Sequence, residues 1–157
     1  MTYGLSITTP AATDPVTLTE AKAHLRVDHS DEDTLITSLI SAATQWAQNY
    51  TRRQFVTATF TMTLDGFPAG NAIELPRPPF VSVTTFTYTD TNGDSQAVAG
   101  SVYGERVDSV PGRLHLLSGQ SWPATLAQDA AVTLVYVAGY GAASAVPESI
   151  KAAINLL

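Results

Sequence analysis

The sequence Pro15-Val-Thr-Leu-Thr-Glu-Ala-Lys-Ala-His-Leu-Arg-Val-Asp28 begins an amphipathic helix that carries its own start signal. Thr17 and Glu20 have the capping-box spacing, in which a hydroxyl and a carboxylate three residues apart each bind a free backbone N–H. The following Ser30-Asp-Glu-Asp33 starts a second helix, with Ser30 as its cap and the acids at the positive end of its dipole. We therefore predict a helix pair over residues 17–53.

The second helix carries apolar residues at helical period from Leu35 to Tyr50. Such a stripe is normally buried against another element. The predicted core of the helix pair comprises Leu18, Leu25, Leu35, Ile36, Leu39, Ile40 and Trp46. If this interpretation is correct, Trp46→Ala costs on the order of 3–5 kcal/mol of stability.

A β region is predicted over residues 55–137, where the apolar period changes to two. The residues from Val56 to Leu64 alternate with threonines, which is typical of a half-buried strand. The turn Asp90-Thr-Asn-Gly-Asp94 predicts a hairpin in which Gly93 takes a positive φ. Further strands are predicted at Ala72–Leu75, at 81–88 with a β-bulge at Thr84-Thr85, at Gln96–Val98, at Arg113–Leu117 and at Val132–Val137.

The two ends of the chain complete the predicted architecture. Residues 1–16 have no sustained period and are predicted to form an extended arm that becomes ordered against a neighbour. Residues 147–157 begin a C-terminal helix with Ile150, Ile154 and Leu157 on one face. Because that helix stops with an apolar face, we expect either that further residues follow or that a partner covers it. The predicted fold is one α+β domain over residues 1–157, in which an antiparallel, small sandwich-like β region is inserted between the helix pair and the C-terminal helix.

Composition restricts the classes of function. The chain has 14 acidic and 8 basic residues, a net charge of −6, which argues against binding nucleic acid by phosphate neutralisation. It has no cysteine, so disulfides and thiolate metal sites are absent. The sequence shows neither a signal peptide nor an apolar run of about 20 residues, so we expect no export by that route and no membrane partner.

No catalytic, cofactor or metal site is predicted. His24 and His29 are five residues apart, about 140° around a helix, so a regular helix does not aim both at one metal ion. Asp28, Asp31 and Asp33 lack the glycine and the terminal glutamate of a calcium loop. The sequence also contains neither a Gly-x-Ser-x-Gly elbow nor a glycine-rich phosphate loop.

Two residues outside the helices leave alternatives open. Trp122, between Ser121 and Pro123, either anchors the sheet or contacts a partner as an interface aromatic. Arg77 lies on a stiff segment between prolines, where it either pairs with a carboxylate of a neighbouring subunit or remains solvated.

The helix pair is followed by a set of short motifs whose order is informative. They are Leu64-Asp-Gly-Phe-Pro68, Leu75-Pro-Arg-Pro-Pro79, Ser121-Trp-Pro123, Ala138-Gly-Tyr-Gly141 and Val146-Pro-Glu-Ser-Ile150. In this order the segments resemble the head–tail connector proteins of tailed bacteriophages and phage-like gene transfer agents, over nearly the whole chain.

The resemblance implies a structural, non-enzymatic adaptor. Members of that family form a ring of identical subunits, usually a dodecamer, which binds the portal and offers its far side to the stopper or tail components. It also implies assembly in the bacterial cytoplasm and a final location in the neck of a virion or phage-like particle. DNA would then pass through the channel without specific binding, and the negative charge would keep it from adhering.

The interface residues expected for the portal or a neighbouring subunit are Ile150, Ile154, Leu157, Arg77 and Trp122. Of these, Ile150, Ile154 and Leu157 are assigned to the portal. One rival interpretation is a β-sandwich adhesion or carbohydrate-binding module, suggested by the threonine-rich strands and by Trp122. A second rival is an enzyme with a spatially assembled active site, for which the sequence gives little support.

Overall fold

Over residues 2–157, which the computed structural model describes, the chain forms three α-helices and eight β-strands. The helices are α1 (Leu18–Leu25), α2 (Asp33–Thr51) and α3 (Glu148–Leu156). The strands are β1 (Gly4–Thr9), β2 (Ala58–Leu64), β3 (Ala72–Leu75), β4 (Phe80–Thr89), β5 (Ser95–Ala97), β6 (Tyr103–Arg106), β7 (Gly112–Leu116) and β8 (Val132–Ala138). The predicted α+β class is confirmed.

The strands form two antiparallel sheets, one of five strands in the order β1-β2-β8-β4-β5 and one of three in the order β3-β7-β6. Strand β2 pairs with β8 in unbroken register from Ala58 opposite Ala138 to Leu64 opposite Val132. Both strands bury every second residue, as the alternating sequence predicts. The register of β4 against β8 shifts between Val83 and Thr85, which confirms the predicted bulge, and shifts again between Phe80 and Ser82.

The buried apolar side chains form two clusters. The β cluster joins the inner faces of both sheets, with Phe60, Met62 and Tyr136 of the large sheet against Ile73 and Leu114 of the small one. The helical cluster contains Val16, Ala21, Ile36, Ile40, Ala47, Phe55, Val56, Val146 and Ile154. The segment Phe55–Val56 leads from α2 into β2, so the helices pack beside the end of the sheet where that strand begins.

The capping box at the start of α1 is confirmed. Thr17 Oγ1 accepts a hydrogen bond from the Glu20 N–H at 3.2 Å, and Glu20 Oε2 accepts one from the Thr17 N–H at 2.7 Å. The prediction of Ser30 as the cap of α2 is wrong. Glu32 occupies that position without a side-chain hydrogen bond to the helix, and the Ser30 carbonyl accepts the Asp33 N–H instead. The loop therefore turns once more before α2 begins.

The N-terminal segment differs from the predicted arm. Residues 4–9 form β1, which pairs with β2 of the same chain, with Leu5 opposite Met62. The physical reason is that β2 would otherwise leave a row of unpaired backbone groups at the sheet edge. Strand β6 was not predicted either, because Tyr-Gly-Glu-Arg has no apolar alternation; it is held by its pairing with β7.

Two glycines permit turns that position the sheets. Gly93, in the hairpin between β4 and β5, has the predicted positive φ of 92°. Gly139, directly after β8, has a φ of 131°, and a Cβ there would lie 2.6 Å from Thr57 Cα. Only glycine fits this approach, which brings the corner after β8 against the start of β2.

Candidate functional site

The main exposed apolar feature of the molecule lies on α2. Four large side chains of this helix remain more than half exposed: Leu35 (56%), Leu39 (57%), Trp46 (55%) and Tyr50 (77%). We call this set the α2 stripe. The prediction that Leu35, Leu39 and Trp46 belong to the core is wrong, and so is that for Leu25 of α1, which is 54% exposed. Ile36 and Ile40 are buried as predicted, and Leu18 packs partly buried against them.

The reason is the width of the apolar arc on α2. At 100° per residue, the stripe is centred roughly 100° around the helix from the buried face of Ile36, Ile40 and Ala47. The rest of this chain covers only the latter face. A surface helix with one buried side needs an apolar arc of about 100°. The apolar arc of α2 is wider than that, and this extra width is the sequence signal for a second, uncovered face.

The α2 stripe borders a groove of about 530 Å³ between the helices. Small residues of α2, Ala42 and Ala43, lie among its lining, with Leu39 and Trp46. Leu25 of α1 and the end of α3 complete the walls through Ile154, Asn155 and Leu157. The lining contains no charged side chain, so the groove suits an apolar surface rather than a charged ligand.

The aromatic part of the stripe is already ordered. The rings of Trp46 and Tyr50 stack with centroids 5.1 Å apart and an interplanar angle of 6°. A stacked pair loses less side-chain freedom on binding than two independent rings would. Exposed aromatic anchors of this kind dominate the binding energy of many interfaces.

The C-terminal helix does not present the predicted apolar face. Ile154 is only 4% exposed and Ile150 packs against the helical cluster, so both serve the fold of this chain. They point inward because α3 closes over α1 and α2. The exposed apolar side chains at this end are Leu156 and Leu157, at 78% and 65%. Of the three residues predicted for the portal, Leu157 is exposed, Ile150 is partly buried and Ile154 is buried.

Charged side chains tie α3 to α1. Lys151 is largely buried and lies 3.1 Å from Glu148 Oε1 and 3.9 Å from Glu20 Oε1. The pKa of Glu20 is held below its ordinary value, first by the hydrogen bond from the Thr17 backbone and then by the Thr17 hydroxyl, with Lys151 adding a smaller effect. The carboxylate therefore both caps α1 and faces the ammonium of α3.

Arg77 is engaged within the chain. Its Nη1 donates to the Gln48 carbonyl at 3.0 Å and its Nη2 to Asn49 Oδ1 at 2.8 Å. The guanidinium thus donates a hydrogen bond to a backbone carbonyl at the C-terminal end of α2, where the helix dipole also favours a cation. The alternative of a solvated, unpaired side chain is therefore wrong, and the pair with a neighbouring subunit stays a prediction.

Trp122 is the anchor that one of the two sequence alternatives predicted. Its ring stacks on Phe67 at 5.1 Å and meets Phe86 edge-on, and its Nε1 donates to the Gly70 carbonyl at 3.0 Å. The ring closes one end of the β cluster. Because one of its faces is covered by Phe67, it is a poor platform for stacking a ligand.

The two ends of α2 carry opposite charge. At the N-terminal end, exposed carboxylates of Asp28, Asp31 and Glu32 outnumber the single guanidinium of Arg26. At the C-terminal end, Arg52 and Arg53 lie with Arg77 and one carboxylate, Glu74, around a shallow pocket. The helix of 19 residues keeps these ends about 28 Å apart.

Within residues 2–157, no group of three or more histidine, aspartate or glutamate side chains is arranged to hold a metal ion. In the same part of the chain, no helix has both the length and the apolar character needed to cross a bilayer. The geometry offers apolar and charged surfaces for contact with other macromolecules.

The fold is similar to that of chains in gene transfer agent particles. One comes from the neck of an empty particle computed with C6 symmetry, with 22% identity and a TM-score of 0.84. A second, from the virion of a native gene transfer agent particle, has 24% identity and a TM-score of 0.83. A third, from the neck of a native particle computed with C12 symmetry, has 22% identity and a TM-score of 0.81. Each alignment covers 98% of this chain and 80% of the other.

Sequence comparison gives a family. A search of curated proteins found no match. The sequence model of the phage gp6-like head-tail connector protein family matches residues 15–101, more than half of the chain, including the helix pair and strands β2 to β5. The chain therefore belongs to the phage gp6-like head-tail connector protein family.

Proposed function

We propose that this protein is a structural adaptor that forms a ring in the neck of a tailed phage or gene transfer agent particle. The ring joins the portal of the DNA-filled capsid to the stopper or tail. The observation that carries this proposal is the family match over residues 15–101. Further support comes from the likeness of the fold, over 98% of the chain, to chains from particle necks that were computed with C6 and C12 symmetry.

A ring of identical subunits makes specific physical demands. Each subunit needs two different complementary patches for its two neighbours, and an adaptor needs further surfaces for unlike components above and below. The exposed surfaces of this chain meet that need. The α2 stripe, the charged ends of α2 and the Leu156–Leu157 end of α3 all lie at the surface of residues 2–157.

The portal contact is assigned here to the end of α3. Leu156 and Leu157 are the apolar side chains that α3 leaves uncovered, whereas Ile150 and Ile154 hold the helix to its own subunit. A contact through the former pair leaves the helical cluster intact. Removing the whole segment after residue 145 would instead delete buried Val146 and Ile154, so loss of binding by that truncation would be uninformative.

The experiment that tests the function uses the full chain and the portal ring from the same genome. We expect cryo-electron microscopy of the mixture to show a ring of this protein on one end of the portal. Leu156→Asp should weaken portal association by about tenfold or more, since a charge in an apolar contact costs more than 1.4 kcal/mol. Val107→Asp, at an exposed site outside α3, is the matched control. A chain that ignores the portal, while deletion of its gene leaves fully tailed particles, would refute the proposal.

The role is proposed to be non-catalytic. The charge of −6 suits a protein beside which DNA must slide rather than be held. The rival interpretation as an adhesion or carbohydrate-binding module is based on the threonine-rich strands and on Trp122, and the Trp122 ring is packed on Phe67 and hydrogen-bonded to Gly70. The adaptor therefore accounts for more of the molecule than either rival.

A further inference from the structure

We propose that the α2 stripe is one of the two patches through which each copy of this chain contacts its neighbours in the ring, and that the oppositely charged ends of α2 set their alignment. This inference rests on the proposed ring and names a surface that builds it. The occupant is a second copy of the chain. Three observations carry the assignment: the spacing of the stripe, the exposure of its side chains, and the distribution of charge at its two ends.

The spacing is that of a helix-packing seam. Leu35, Leu39, Ala42 and Trp46 follow one another at intervals of four, three and four residues. This is the pattern that keeps one side of a helix facing a partner over several turns. Ala42 in the seam and Ala43 next to it are small, so they allow a neighbouring backbone or side chain to approach closely.

The side chains of this surface are large and uncovered. Leu25 and the four residues of the α2 stripe are each more than half exposed. Leu25, Leu39 and Trp46 also line the same groove. Exposed apolar side chains that lie together in this way mark a surface for contact with a partner.

The charges favour a copy of the same chain over an unrelated partner. Each copy carries an acidic end at Asp28, Asp31 and Glu32 and a basic end at Arg52 and Arg53. The ends are about 28 Å apart, more than three Debye lengths of about 8 Å, so within one subunit they do not neutralise each other. When a neighbouring copy places its basic end on the acidic end of this copy, the charges of both ends are paired. That attraction offsets the repulsion between two chains of charge −6.

The test uses charge reversal at the two ends. One full-length variant is Asp31→Lys/Glu32→Lys, and the other is Arg52→Glu/Arg53→Glu. In either variant alone, like charges meet at every contact, so we expect self-association to weaken by about tenfold. In an equimolar mixture, opposite charges meet again at every contact, and association should return to the wild-type level. Mixing can restore only a contact between two copies of this chain. Binding of each variant to a different partner protein would be the same in the mixture as for that variant alone.

A second pair of variants tests the apolar part. Leu39→Ser/Trp46→Ser should weaken association by at least about tenfold, whereas Val81→Ser/Val107→Ser, at exposed sites outside α2, should leave it unchanged. Thermal melting of each variant, compared with wild type, separates loss of contact from loss of fold. Association is measured by sedimentation velocity of the chain alone and by the number of copies bound per portal ring.

The outcomes separate this inference from the proposed function. Rings that form on the portal regardless of the stripe and charge variants overturn the inference and leave the adaptor function standing. Self-association that follows the variants, with no binding to the portal, supports the inference and refutes the adaptor function. A chain that neither self-associates nor binds the portal refutes both.

Discussion

Single side chains that bridge two elements position the proline-rich segment between β3 and β4. Tyr136 is fully buried in the centre of the large sheet, and its hydroxyl donates to the Pro76 carbonyl at 2.7 Å. Its pKa is raised strongly, chiefly by burial, so the phenol remains a donor throughout the physiological range. The bond ties the sheet to the segment that carries Arg77, and through Arg77 to the end of α2.

We expect Tyr136→Phe to lower the free energy of unfolding by about 1–2 kcal/mol, since it leaves the Pro76 carbonyl without its donor while retaining the ring packing. Urea unfolding followed by far-UV circular dichroism measures the change. Tyr50→Phe is the control, because that side chain is 77% exposed and should show no effect. Equal stability of both variants would mean that water replaces the bond at no cost.

Glu20 gives the fold a dependence on pH at the residue scale. Because its pKa is lower in the folded state than in the unfolded chain, its contribution is present above the unfolded value near 4.5 and is lost as pH falls through the folded value. Glu20→Gln keeps a capping side chain but removes the charge. We expect it to be less stable than wild type at pH 7, by a difference that shrinks as the pH falls below about 4.5.

Thermal melting between pH 3 and pH 7 measures this difference. Glu32→Gln is the matched control, since the Glu32 carboxylate makes no capping hydrogen bond and should give a profile parallel to wild type. A constant gap between Glu20→Gln and wild type over that range would assign the effect to packing rather than charge.

At the scale of elements, α2 has two apolar faces with different roles. The inner face packs in the helical cluster, and the outer α2 stripe is exposed. Stability and assembly are therefore carried by residues that lie side by side in the sequence. A mutation at Leu39 should therefore affect assembly, whereas a mutation at the next residue, Ile40, should affect stability.

We expect Ile40→Ala, at a site 7% exposed, to cost about 2–5 kcal/mol of stability through the cavity that it leaves. Trp46→Ala should cost less than about 1 kcal/mol, because the side chain is 55% exposed and stacks on the exposed Tyr50 of the same helix. This reverses the expectation from sequence. Chemical denaturation of the monomer measures both, and a loss of 3 kcal/mol in Trp46→Ala would return Trp46 to the core.

At the scale of the whole molecule, charge governs the relation to DNA. The chain has 14 acidic and 8 basic residues, and three of the basic ones are gathered at one end of α2, so residues 2–157 present no continuous basic surface. Neutralising several phosphates would need such a surface.

We expect the isolated chain to show no retention of double-stranded DNA in a filter-binding assay at 50 mM salt, the condition that favours electrostatic binding most. A basic DNA-binding protein measured in parallel shows that the assay detects such binding. Tight binding that falls steeply between 50 and 200 mM salt would contradict the proposed passage of DNA without adhesion.

Local sequence signals determined the elements of this protein. The capping box at Thr17 and Glu20, the alternation in β2 and β8, the bulge near Val83 and the positive φ of Gly93 all depend on residues close together in the chain. The ordered motifs were sufficient to indicate the family, which the match over residues 15–101 confirms. These features could be predicted because backbone geometry and side-chain period are local properties.

Only the tertiary structure decided which apolar residues are covered. The period of α2 identifies its apolar residues but not how many of them the rest of the chain covers. The sequence therefore predicts Leu39 and Trp46 in the core, although they are exposed. It also predicts Ile154 at the surface, although it is buried. The partners of Arg77 and Trp122, and the pairing of β1 with β2, likewise come from distant residues. Burial is a sum over contacts that the whole fold brings together, and no single stretch of sequence contains that sum.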